Sequence, residues 1–183
     1  MIIKKISWEE ILPIWQNDLW PSSVRTSAIE PTSAMGLFKI WRHNEDGTAD
    51  LINHYDLENM KSTPTFWGCF IEDKLIGVNS GHMCVGREYR SRGLWVNPKY
   101  RGMSIGTKLL VKTVAQGYHE GAILCWSYPR FESWKAYHNA GFRRTDYNFN
   151  FEWEESETGH NTKCVITFDP SIIVKPKYNT VTQ

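Results

Sequence analysis

The sequence predicts an α/β (α+β) sandwich built around one mixed sheet, and three observations carry that expectation. Strand-like apolar runs over 66–71, 75–84 and 88–96 follow one another with only short turns between them, as in a meander. A glycine-bearing turn and an amphipathic helix then extend the third run to residue 119, and a further strand and helix cover 122–139. Helical periodicity also occurs early, before the meander, so helices are available to cover the sheet.

The elements are justified in chain order. Ile2 to Ile6 reads as a first strand, and Ser7-Trp8-Glu9-Glu10 is a capping box with Ser7 as N-cap. Trp8, Ile11, Leu12, Trp15 and Leu19 recur at helical spacing, which makes them core residues, and Pro13 is expected to kink or divide that helix. Residues 20–65 are irregular, broken by Pro21, Pro31, Gly47 and Pro64. Phe66 to Ile71 and Leu75 to Cys84 form a hairpin around Glu72-Asp73-Lys74, and Glu88 to Val96 is the next strand, with Gly93 as a candidate bulge. Lys108, Lys112, Gln116 and His119 take one side of the following helix (Ile105 to His119), with Leu110, Val111, Val114 and Tyr118 opposite and Gly121 as its stop. Ala122 to Ser127 is a buried strand, and Pro129 opens a helix that Gly141 ends. Asn148 to Trp153 and Cys164 to Phe168 are the last expected strands, joined by a polar loop from Glu154 to Thr162.

Composition narrows the function. A chain of 183 residues with 41% hydrophobic and 22% charged content is ordinary for a globular domain, expected to be single over 1–183. The net charge of +1 gives no general attraction to nucleic acid or membrane, and neither is an expected partner. The four cysteines are spread singly, which fits buried reduced thiols and a cytoplasmic setting better than a disulfide framework or zinc site. The six histidines form no i, i+4 pair and no His-x-Glu arrangement, so no metal is expected. No serine sits in a nucleophile elbow, and no cysteine has a histidine context, which argues against covalent catalysis.

The informative stretch is Arg92 to Leu110. A strand feeding a glycine-bearing turn and then a helix points unpaired N–H groups at one small volume, where a diphosphate is stabilised. Val96-Asn97-Pro98-Lys99-Tyr100-Arg101-Gly102-Met103-Ser104-Ile105-Gly106 resembles the acetyl-CoA-binding segment of the GNAT superfamily of N-acetyltransferases. Ser104 stands where that family usually has its middle glycine. About thirty residues on, Tyr137-His138-Asn139-Ala140-Gly141-Phe142 is similar to the family's Tyr-x-x-x-Gly-Phe. The two motifs together cover roughly residues 75–145.

The resemblance implies a mostly antiparallel central sheet, an acyl-CoA-binding core over about 66–153 and an acceptor-shaping region of helices and loops over about 7–65. It implies acetyl transfer from acetyl-CoA to a primary amine in a ternary complex. The diphosphate seat would be Arg101, Gly102, Met103, Ser104, Ile105, Gly106 and Thr107, through the backbone. The thioester carbonyl would be polarised by backbone N–H near Trp95 and Val96, where the family's central strand parts from its neighbour. The Arg101 side chain either adds charge there or faces solvent. Tyr137 would be the acid for the leaving thiolate, since a phenol near pKa ~10 is protonated at neutral pH. Arg130 replaces the family's usual asparagine and is a candidate contact for the CoA arm, although it cannot accept a hydrogen bond.

Glu88 and His82 are the nearest candidates for the base, with deprotonation through water as the other route. Arg87, Arg90 and Arg92 mark either an acidic acceptor or a solvated strand edge. Acceptor identity, acyl-chain length and oligomeric state stay open, a homodimer included. So do two other functions: a non-catalytic CoA-binding module, or an acyltransferase acting on a nucleobase.

Overall fold

The computed structural model describes residues 1–21, 31–32, 38–52, 63–145, 154–156 and 159–176. Strand β1 (Ile2–Ile6) leads into helix α1 (Trp8–Ile14) through the expected capping box: the Ser7 hydroxyl accepts from the Glu10 N–H, and the Glu10 carboxylate accepts from the Ser7 N–H. Pro13 can neither donate its i→i−4 bond nor tolerate the preceding carbonyl. The helix widens directly after it, into a π-turn over Trp15–Leu19 closed by Trp20 N–H donating to the Trp15 carbonyl. Ile11 and Trp15 are fully buried, and the sheet-facing stripe continues through Trp8 and Leu19.

Strands β2 (Phe38–His43) and β3 (Ala49–Leu51) lie in the region expected to hold helices and loops. They pair with the C-terminal strand to make a separate three-stranded sheet. Strands β4 (Thr65–Ile71) and β5 (Lys74–Cys84) form the expected hairpin. Its two-residue loop, Glu72-Asp73, has both φ positive, the twist that matches flanking strands. Strand β6 (Glu88–Val96) has the expected bounds, and helix α2 (Ile105–His119) leads to β7 (Leu124–Ser127). Helix α3 (Trp134–Asn139) follows a 3₁₀ turn, then a short β8 (Arg143–Arg144). A hairpin of β9 (Glu154–Ser156) and β10 (Gly159–Asn161) occupies the stretch expected as a polar loop. Strands β11 (Cys164–Thr167) and β12 (Ile172–Pro176) close the described chain, while the strand expected over 148–153 lies outside the described residues.

The main sheet has seven strands in the order β1-β4-β5-β6-β7-β11-β8, mixed and mostly antiparallel as expected. Its single parallel pair is β6 with β7. Helix α2 covers one face. Its buried stripe is Ile105, Leu109, Leu110, Thr113 and Gly117, whereas Val111 and Tyr118 are exposed, against the expectation from periodicity. The opposite face carries α1 at the β4–β5 side. The three-stranded sheet covers the β7 side, where Ile40 and Ile172 pack on Cys84, Leu124 and Trp126. Both helix stops are Schellman motifs: Ala122 N–H donates to the Gly117 carbonyl and Gly121 N–H to that of Tyr118. Phe142 to Tyr137 and Gly141 to His138 repeat the pattern at the end of α3.

Candidate active site

Two local features open a cavity in the sheet. The first is the end of the parallel pair: β6 and β7 are joined only through Glu88–Leu124, Tyr89–Cys125 and Arg90–Trp126. From Ser91 onward the β7-facing edge of β6 has no ladder partner among the described residues. The Ser127 hydroxyl bridges the opening by donating to the Ser91 carbonyl at 2.8 Å.

The second feature is the bulge. Between the pairs Ser80–Arg92 and Val78–Trp95, two steps on β5 oppose three on β6, so β6 carries one extra residue. Gly93 sits there with φ +70, and a Cβ would collide with the Trp15 indole, whose Nε1–H donates to the Gly93 carbonyl at 3.1 Å. The strand therefore reverses phase. Leu94 and Val96 face α2 among Ile105 and Leu109, while Arg90 and Arg92 face the other way, over Trp126 and over Trp15 and Trp20.

The resulting cavity is about 1160 Å³. Its lining joins β6 from Arg90 to Val96, the turn into α2, the end of β7, α3, and the π-turn residues Asp18 to Trp20. Of the residues expected to hold the cofactor, Trp95, Val96, Arg101, Gly102, Ser104, Ile105, Gly106, Thr107 and Arg130 line it. Met103 does not; its side chain is about half exposed.

The α2 terminus fits an anion. Ser104 is the N-cap in the left-handed region (φ 58) and makes no side-chain capping bond. The first intrahelical bond is Lys108 N–H to the Ser104 carbonyl, which leaves the N–H groups of Ile105, Gly106 and Thr107 without an acceptor among the described residues, at the cavity wall. Thr107 Oγ1 donates to the Ala136 carbonyl at 3.4 Å, tying α2 to α3. Gly106 serves this contact too: a Cβ there would lie 3.3 Å from that of Ala136, against α3 rather than in the cavity. The Arg101 side chain is exposed, and its Nε–H donates to the Val96 carbonyl.

Tyr137, near the end of α3, is almost completely buried, with its ring edge-on to Phe142. Its hydroxyl lies 3.1 Å from Ser127 Oγ. The Ser91 carbonyl can only accept, so the serine proton goes there and the phenol donates to Ser127. Burial pushes the phenol well above its ordinary range, which favours its neutral, protonated form. Ser127 and Ser91 were not legible as site residues; serines at a strand end carry no pattern of their own.

The base candidates are placed elsewhere. His82 and Glu88 are fully buried and do not line the cavity. His82 pairs with Arg90 across the β5–β6 ladder and Glu88 with Cys84, toward the closed end of the opening and on the face covered by the three-stranded sheet. Arg130, expected at the CoA arm, donates to the Leu19 carbonyl at 3.3 Å, which satisfies an open carbonyl at the end of the π-turn. Among the described residues no helix is long and apolar enough to cross a membrane, and no cluster of three or more His, Cys, Asp or Glu could hold a metal.

The domain is thus an α/β fold whose mixed sheet parts beside a helix N-terminus that has no side-chain cap. The sequence profile of the acetyltransferase (GNAT) family matches residues 24–142, and the chain belongs to that family, whose members are acyltransferases. An acetyltransferase of the GNAT family from Staphylococcus aureus Mu50 has a similar fold over 92% of this chain and 99% of its own, with a TM-score of 0.57 at 17% identity. The IAA acetyltransferase from Bacillus cereus is similar over 91% and 98%, with a TM-score of 0.56 at 13% identity. The PaiA N-acetyltransferase of Thermoplasma acidophilum, solved with coenzyme A, is similar over 57% of this chain and 61% of its own, with a TM-score of 0.44 at 19% identity. No curated protein matches the chain by sequence.

Proposed function

We propose that this protein transfers the acetyl group of acetyl-CoA to a primary amine by direct attack within a ternary complex. The observation that carries the reading is the opening between β6 and β7. It brings the free edge of Ser91–Val96, the uncapped α2 terminus and the Tyr137 phenol to one cavity. Acetyl-CoA supplies an activated acyl group and a thiolate leaving group. The N–H groups of Ile105, Gly106 and Thr107 hold the diphosphate, helped by the positive end of the α2 dipole. Backbone donors on the free edge near Trp95 and Val96 stabilise negative charge on the carbonyl oxygen as the amine adds.

Tyr137 acts last. Its proton, held by Ser127 in the resting site, turns toward the sulfur as charge collects there. His82 and Glu88 do not reach the cavity, so the ammonium proton leaves to water at the cavity mouth rather than to either side chain. The test is mass spectrometry of purified protein with acetyl-CoA and a broad amine panel. Acetylated amine together with stoichiometric free CoA is expected; thioester hydrolysis alone, or no turnover across the panel, overturns the proposal.

A further inference from the structure

We propose that the acceptor is an amine that also carries a carboxylate, and that Arg90 is the residue that selects it. The inference rests on the acetyl-transfer reading above and assigns the substrate class of the same cavity. Arg90 lines the cavity at the last paired position of β6, one residue before the strands part. Its guanidinium lies 4.9 Å from the centroid of the Trp126 ring, and among the described residues no carboxylate pairs with it. The two carboxylates of the described lining, Asp18 and Glu132, are exposed and do not neutralise it.

A partly buried cation set against an aromatic face, with no carboxylate of the described residues beside it, is poorly compensated for lost hydration. Burial accordingly pushes the Arg90 guanidinium below its ordinary range. An anion arriving there recovers that cost, and a carboxylate matches the guanidinium fork bidentately.

The CoA phosphates are not that anion. The α2 terminus packs with Leu94 and Val96, after the bulge, whereas Arg90 precedes it and faces the opposite side of the sheet. On that same side Arg92 stacks 5.6 and 5.1 Å from the Trp15 and Trp20 centroids, and Arg130 reaches the Leu19 carbonyl. The face of the sheet away from α2 thus presents cations to the cavity, set among tryptophans. Because Arg90 adjoins the point where the strands part, the carboxylate and the attacking nitrogen need be only a few bonds apart, as in an amino acid.

The experiment is calorimetry on protein saturated with CoA, titrated with amino acids and with the same compounds as carboxamides. Carboxylates are expected to bind about tenfold or more tightly than their amides, from one charge-assisted pair. Arg90→Gln should remove the preference while CoA affinity is retained, and Arg90→Lys, with charge but no fork, should keep part of it. Equal binding of acid and amide by the wild-type protein overturns the proposal whether or not the variants fold, as does a preference that survives Arg90→Gln. Acetylation of amines without a carboxylate preference would sink this inference and leave the transfer reading standing. A carboxylate preference without any acetyl transfer would do the reverse.

Discussion

Tyr137→Phe separates the proposed chemistry from packing. The phenol's hydrogen bond is to Ser127, with the Ser91 hydroxyl also nearby, and Ser127 keeps its own donation to the Ser91 carbonyl when the phenol hydroxyl is removed. The Ser127 proton keeps its acceptor, so the stability loss is on the order of one to two hydrogen bonds, about 1–2 kcal/mol. For a chain of this length each kcal/mol corresponds to roughly 2–4 °C in Tm. Against a stability on the order of 5–15 kcal/mol, the folded fraction is unchanged. The catalytic loss is expected at about 10²–10⁴ in kcat, or roughly 3–5 kcal/mol of barrier, which folding cannot explain. The assay is kcat, acetyl-CoA affinity and Tm for both proteins with an amine found by mass spectrometry. Affinity should be retained, because the ring and its edge contact with Phe142 remain. Full kcat in the phenylalanine variant refutes the acid role, and a kcat loss that restoring stability elsewhere recovers would assign Tyr137 to the core alone.

Other outcomes follow from the same geometry. Ser104→Gly removes the cost of a left-handed L-residue, about 1–2 kcal/mol, partly offset by glycine entropy of about 0.5–1 kcal/mol. Tm should rise slightly, with acetyl-CoA binding equal or tighter by calorimetry; markedly weaker binding would make the serine hydroxyl a phosphate ligand. Gly106→Val should cost about 1–3 kcal/mol by forcing α2 from α3, read as a lower Tm in the absence of ligand; an unchanged Tm would return that position to the cavity. Burial raises the Tyr89 and Tyr137 phenols and the Cys125 and Cys164 thiols, so their stabilising effect is complete below the unfolded pKa values, near 8.5 for thiols and 10 for phenols. It is lost as pH rises beyond them, because the unfolded chain ionises first. Urea unfolding should report a decline of up to about 1.36 kcal/mol per pH unit per group, and flat stability from about pH 8 to 10.5 would contradict this.

Much of this frame was legible because local chemistry and tertiary structure agree. A capping box, a two-residue hairpin loop, a glycine within a strand pattern and glycine helix stops each act within a few residues. The buried stripe of α2 was misread because two of its members, Thr113 and Gly117, are not apolar: Gly117 lies under the Tyr89 ring, and Thr113 accepts from Asn79. The second sheet was invisible because β2 pairs with β12, well over a hundred residues later, and no local pattern records such a partner. In the site, the glycine-bearing turn from β6 into α2 was readable, because its strand, turn and helix follow one another in sequence. The base was not, because strand alternation gives the face of His82 and Glu88 but not which end of the strand pair opens.

The extra residue in β6 has a consequence for how this enzyme can diverge. Because the alternation inverts at Gly93, one short strand presents two independent surfaces, one on each face of the sheet. Substitutions at 90 and 92 therefore leave undisturbed Leu94 and Val96, against which α2 is set. A one-residue deletion at the inversion would fuse the two surfaces and turn Leu94 and Val96 away from Ile105. The bulge thus lets the two faces of one strand change independently of each other.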